Sequence, residues 1–158
     1  MIRLLYRTAA AWTAIGLAGG LFYREFTRLH GVPGGTQLAV LHTHALVLGT
    51  VTSLVLVALV GSWPELGSSR AFRAGVWVWQ AGLGLTSGGM LVKGCLQVLG
   101  SPSADSAALA GVSGLGHVTL SAAFVLLFVG LGRTLGVARP EASAARSPRA
   151  AAVSMVEG

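Results

Sequence analysis

The sequence predicts an all-α fold, an integral membrane four-helix up-down bundle, on three observations. Of its 158 residues, 53% are apolar and only 10% are charged, where a soluble domain carries about a quarter charged residues. The apolar residues arrive in long blocks bounded by charges, without the alternation of a transmembrane barrel. Each block approaches the length needed to cross hydrocarbon, about 20 mostly apolar residues. Four such blocks joined by short loops default to an antiparallel bundle, and the length suits a single domain.

The elements follow from the gaps between charges. Residues 8–23 lie between Arg7 and Arg24, residues 29–64 between Arg28 and Glu65, residues 74–92 between Arg73 and Lys93, and residues 106–132 between Asp105 and Arg133, all free of Lys, Arg, Asp and Glu. The predicted helices therefore lie near 5–24, 38–62, 72–97 and 109–132. The first resembles a secretory signal, with Arg3 and Arg7 ahead of an apolar run. It continues through Leu21, Phe22 and Tyr23 without a small-residue cleavage site, so it reads as an uncleaved helix. Residues 1–135 form the transmembrane domain. Residues 136–158, rich in Ala, Arg, Ser and Pro, read as a disordered cytoplasmic tail.

Charge counting gives an orientation. Four spans put both termini and the loop between the second and third helices on one side, with Arg3, Arg7, Arg70, Arg73, Arg133, Arg139, Arg146 and Arg149. The other side holds Arg24, Arg28 and Lys93. The positive-inside rule then places both termini in the cytoplasm of a bacterial inner-membrane protein. So low a charge content excludes nucleic-acid binding despite the net charge of +6. A lone Cys95 excludes a disulfide framework. No phosphate loop, nucleophile triad or paired-carboxylate site is present, and no catalytic residue is assigned. Trp63, Trp77 and Trp79 read as an aromatic belt at the cytoplasmic turn, while Trp12 fits either the interior or lipid. Glu25 reads as one half of an interfacial ion pair.

The histidines carry the chemistry. His30 falls in the loop after the first helix. His42 and His44 lie about 6–9 Å inside the second helix, and His117 about 12 Å inside the fourth, at 1.5 Å per residue. Both helices start from the same side, so the depths are comparable. Intramembrane ionisable residues are costly and mark functional sites by default. His42 and His44 stand about 200° apart on a helix of 3.6 residues per turn, so one faces the bundle while the other faces elsewhere. Two neutral imidazoles from facing helices are what a bis-histidine haem needs. Gly49, Gly82, Gly84, Gly88, Gly89, Gly114 and Gly116 make room for it, Phe124 and Phe128 reach the macrocycle edge, and Arg24, Arg28 and Lys93 hold its propionates.

Two rivals stand beside haem. His30, His117 and either His42 or His44 form an outward-facing copper or zinc site, since imidazole suits both metals. Alternatively the chain is a non-catalytic membrane subunit without cofactor, its histidines hydrogen-bonded to Ser87, Gln80 or Tyr23. Its glycines, Gly16-x-x-x-Gly20 and Gly84-x-x-x-Gly88 among them, then serve helix packing.

The strings GLFYREFTRLHG (20–31), TQLAVLHTHALVLGT (36–50) and SGLGHVTLSAAF (113–124) resemble a family of small four-helix bacterial membrane proteins known as a domain of unknown function. The resemblance covers residues 1–135 and implies the four-span fold. HTHALVLG is also similar to the low-spin haem helix of haem–copper oxidase subunit I. That similarity implies a haem ligand at His44 if HALV is aligned, or at His42 if LHT is aligned. Four histidines cannot supply the oxidase copper site as well, so oxygen reduction by this chain alone is not expected. An oligomer would rebuild a larger assembly, because the oxidase subunit consists of three arcs of four helices. The expectation is a b-type haem protein for electron transfer or haem/gas sensing, with a redox partner or homo-oligomer. His44 and His117 are its axial ligands, and His42 is the competing ligand or a hydrogen-bonding partner behind one of them.

Overall fold

A computed structural model describes residues 1–136; the tail expected over 136–158 lies outside the described residues apart from Gly136. Four helices make up the fold, α1 (Ile2–Leu29), α2 (Gln37–Ser62), α3 (Arg70–Val98) and α4 (Ala107–Thr134), and no strand occurs among the described residues. Each helix contains its predicted span and extends beyond it. α1 lengthens most, because its charged end pairs on itself: Arg28 Nη2 lies 2.8 Å from Glu25 Oε2 and Arg24 Nε 3.6 Å from Glu25 Oε1. The Glu25 ion pair is thus present.

The helix ends have local causes. Gly31, Gly34 and Gly35 all take positive φ, so the chain between α1 and α2 turns where side chains are strained. Gln97 Oε1 of α3 accepts the Gln37 backbone N–H at 2.8 Å, capping α2 across helices. Pro64 and Pro102 open the two 3-10 turns that precede α3 and α4. Ser69 caps α3 by accepting the Phe72 N–H.

Neighbouring helices run antiparallel. Gly16 meets Ala45 and Leu46, Gly20 meets His42, and Gly49 meets Trp12, which zips α1 to α2. Leu38 lies against Gly94 at one end of the α2–α3 contact. α3 and α4 pack along their whole length through Gly75 on Leu127, Gly82 on Leu120, Gly116 on Thr86 and Gly130 on Phe72. α2 and α3 therefore form the middle, with α1 against α2 and α4 against α3. The main core of Leu5, Leu56, Phe72, Val76, Trp79, Leu83 and Leu127 fills the end carrying the N-terminus. A smaller cluster of Leu38, Leu41, Met90 and Val98 closes the histidine end.

Two departures from expectation concern this packing. Trp79 is 1% exposed and belongs to the core, not to an aromatic belt, while Trp77 is 59% exposed. Two residues apart on a helix means opposite faces, so only one of them can look outward. Gly84 and Gly88 have no atom within 4 Å of where a Cβ would stand; the small-residue motif of α3 packs on nothing among the described residues. Two helices, Gln37–Ser62 and Ala107–Thr134, are long and apolar enough to cross a membrane.

Candidate functional site: a histidine-headed slot between two helices

α2 is not a uniform α-helix. Residues Ala45–Val51 wind as a π-helix, with hydrogen bonds to the residue five back. The buried positions record the wider turn, recurring every four residues at Leu41, Ala45, Gly49 and Ser53. The Thr52 backbone N–H bonds the Val47 and Gly49 carbonyls, leaving the Leu48 carbonyl without its usual donor four residues on. Trp79 Nε1–H supplies one at 3.1 Å. π segments concentrate at functional sites, and this one begins immediately after His44.

The two histidines of α2 diverge as their spacing predicts. His42 turns to α1, its ring carbons 3.7–3.9 Å from where a Cβ on Gly20 would be, and its buried Nδ1 has no hydrogen-bond partner among the described residues. His44 turns to α4, where its ring centre stands 6.5 Å from that of His117, the planes at 79°. His44 Nδ1 lies 3.2 Å from the Val40 carbonyl and His117 Nδ1 2.8 Å from the Ser113 carbonyl. A carbonyl only accepts, so each Nδ1 carries a proton, and Nε2 is the nitrogen that holds the lone pair when such a ring is uncharged. His30 makes the same bond to the Phe26 carbonyl at 2.9 Å and stands apart at the end of α1.

Below the histidine pair, α2 and α4 bound a slot. On α4 the face runs His117, Ser121, Phe124, Phe128, at helical spacing and all exposed. Trp79 forms the floor, edge-on to Phe124 with ring centres 4.5 Å apart. A separate apolar cavity of about 260 Å³, lined by Val55, Leu59, Phe124, Leu127 and Phe128 among others and by no histidine, lies further along between α2 and α4.

The remaining candidates are arranged differently. Arg24 and Arg28 are committed to Glu25 on α1, and Lys93 Nζ lies 3.7 Å from Asp105 Oδ1; among the described residues no cation is seen on the histidine pair. Gly49, Gly82, Gly89 and Gly116 are filled by Trp12, Leu120, Ser113 and Thr86, so their room serves helix contact, whereas Gly114 faces open space. Gln80 Oε1 accepts Trp12 Nε1–H at 2.7 Å, and Ser87 has no partner among the described residues, so neither is seen bonding a histidine. No group of three or more His, Cys, Asp or Glu placed to hold a metal occurs among the described residues. Sequence reasoning missed the π segment, because α2 is apolar on every side. It also missed Trp79, although the Trp77–Trp79 spacing carried the signal.

The described residues form a small all-α protein that brings a histidine pair together between its second and fourth helices. The chain belongs to the family described as protein of unknown function (DUF2871), whose profile matches residues 2–134. That agrees with the membership expected from the three sequence strings. No curated protein and no solved structure matches the chain.

Proposed function

We propose that this is an integral membrane b-type haem protein acting in electron transfer, with His44 and His117 as axial ligands. The carrying observation is the pair itself: two imidazoles on different helices, ring centres 6.5 Å apart, each with Nδ1 tied to a carbonyl. Two imidazoles bonded to opposite sides of one metal at about 2.0–2.1 Å per bond put their ring centres roughly 6–6.5 Å apart. An Nδ1–H bonded to a carbonyl is also how a metal-ligating histidine is normally oriented. Trp79 and Phe124 would line the space beside a haem held by His44 and His117. The similarity of HTHALVLG to an oxidase haem helix points the same way. Ligation on both sides leaves no open iron position, so electron transfer ranks above gas chemistry.

The membrane reading rests on the two long apolar helices and on what the surface exposes. Leu17, Leu21, Val118 and Phe128 are each more than 60% exposed, in a chain with 10% charged residues. Such a surface is expensive in water and ordinary in lipid. We place four spans in a bacterial inner membrane with both termini cytoplasmic, on the charge asymmetry above.

The test is a dithionite-reduced minus oxidised spectrum of protein purified from cells supplied with haem precursor, with metal analysis on the same sample. Sharp α and Soret bands at one haem per chain, lost in His117→Ala without loss of membrane insertion, are expected. A flat spectrum with bound copper or zinc would move the histidines to a metal site. A flat spectrum without metal would leave a cofactor-free subunit.

A further inference from the structure

We propose that Trp79 is the spacer that sets the gap between His44 and His117, a positioning residue acting through the helices that carry them. Its functional meaning rests on the haem reading; its geometry does not. α2 and α4 make at most marginal direct contact, while each packs against α3. Something on α3 must therefore fix how far apart they stand at the histidine pair. Trp79 is placed for it. Its indole N–H holds the Leu48 carbonyl, one turn beyond His44, and its ring meets Phe124, two turns beyond His117. At 1% exposure the ring has no freedom to adapt. Gln80 beside it takes the indole N–H of Trp12, tying α1 into the same layer.

The bond to Leu48 also bears on which way His44 points. The π turn holds about one more residue than an α turn. If it reverted to α, the segment bearing His44 would rotate by about 100° relative to the rest of α2. A buried indole N–H and an apolar surrounding make the Leu48 carbonyl a partner that neither group can replace with water. Trp79 thereby stabilises the π form and holds His44 toward α4. No other aromatic ring pair among the described residues links α3 to α4.

The test uses full-length protein in lipid nanodiscs, without haem, in a Cys95→Ser background. Spin labels go on Thr43→Cys and Val118→Cys, both exposed positions flanking the pair. The parent is expected to give one narrow distance distribution. Trp79→Phe keeps a ring but loses the Leu48 bond, and should broaden and shift it; Trp79→Ala should do so further. Trp77→Phe, on the outward face, should leave it unchanged. Parent-like distributions in both Trp79 variants, at parent helix content by circular dichroism, would overturn the proposal. Should Trp79→Ala fail to fold, Trp79→Phe and Phe124→Leu decide alone. A chain that shows the shift yet never binds haem keeps the spacer and loses the haem assignment. One that binds haem without the shift loses the spacer only.

Discussion

α4 has two neighbours and treats them in opposite ways. Against α3 it is closed by glycines: a Cβ on Gly116 would stand 2.9 Å from the Thr86 backbone nitrogen, and one on Gly82 2.9 Å from that of Leu120. Against α2 it is held off by a ring, Trp79, leaving two histidine rings 6.5 Å apart, each tied to a backbone carbonyl through Nδ1. Close approach maximises packing, which is what drives helix association where apolar surface gains nothing from leaving lipid. A gap forgoes that packing along its length. The seam holds the close packing, and the gap holds the histidine pair.

The strongest way to break this comparison is to remove one histidine of α2 at a time. His44→Ala should abolish haem retention, because His44 is the ring that faces His117. His42→Ala should retain haem, since His42 packs on Gly19 and Gly20 of α1. Haem content per chain, by pyridine haemochrome assay, separates the two. Loss in the His42 variant with retention in the His44 variant would reverse the ligand assignment.

The seam offers the next largest effect. Gly116→Ala forces a methyl onto backbone that cannot step aside, and should cost about 1–3 kcal/mol as an overpacked core does. Gly82→Ala should behave alike. Denaturant titration of the detergent-solubilised protein, followed by circular dichroism, reads the cost. An unshifted midpoint in both variants would mean that the helices do not pack through these glycines.

How much of this was legible follows from what each residue's signal depends on. The four helices were readable because charges punctuate the chain, and a charge is unambiguous. Arg24, Glu25 and Arg28 misled only on length: i, i+3 pairing lets α1 run on through them. The divergence of His42 and His44 followed from helix geometry alone. Which glycines pack and which lie open was not readable, because a glycine looks the same on either side of a helix. Gly84 and Gly88 fit the packing motif yet touch nothing among the described residues, while Gly82 and Gly89, in the same run, contact α4. Similarly, an aromatic belt accounted for Trp79 in composition, and only its angular offset from Trp77 argued otherwise.

The open glycines sharpen the contrast from the other side. Gly84→Ala and Gly88→Ala meet no atom within 4 Å, so each should leave the fold intact and raise stability by up to about 1 kcal/mol through helix propensity. A midpoint that falls as far as for Gly116→Ala would show that something outside the chain packs on this face.

The smallest effects compare two adjacent hydroxyls on α3. Thr86 is fully buried against Gly116 and donates to the Gly82 carbonyl at 2.9 Å. Ser87, 5% exposed, lies one position around the helix with its hydroxyl unpaired among the described residues. Removing a paired hydroxyl costs a hydrogen bond, about 0.5–1.5 kcal/mol, whereas removing an unpaired one relieves a desolvated group. Thr86→Val should therefore lower the unfolding midpoint, and Ser87→Ala should leave it unchanged or raise it. The same titration gives the sign. A drop on Ser87→Ala would mean that this hydroxyl has a partner on the α2 side, such as an ordered water in the layer between the seam and the slot. Trp79 would then share its role of holding that layer.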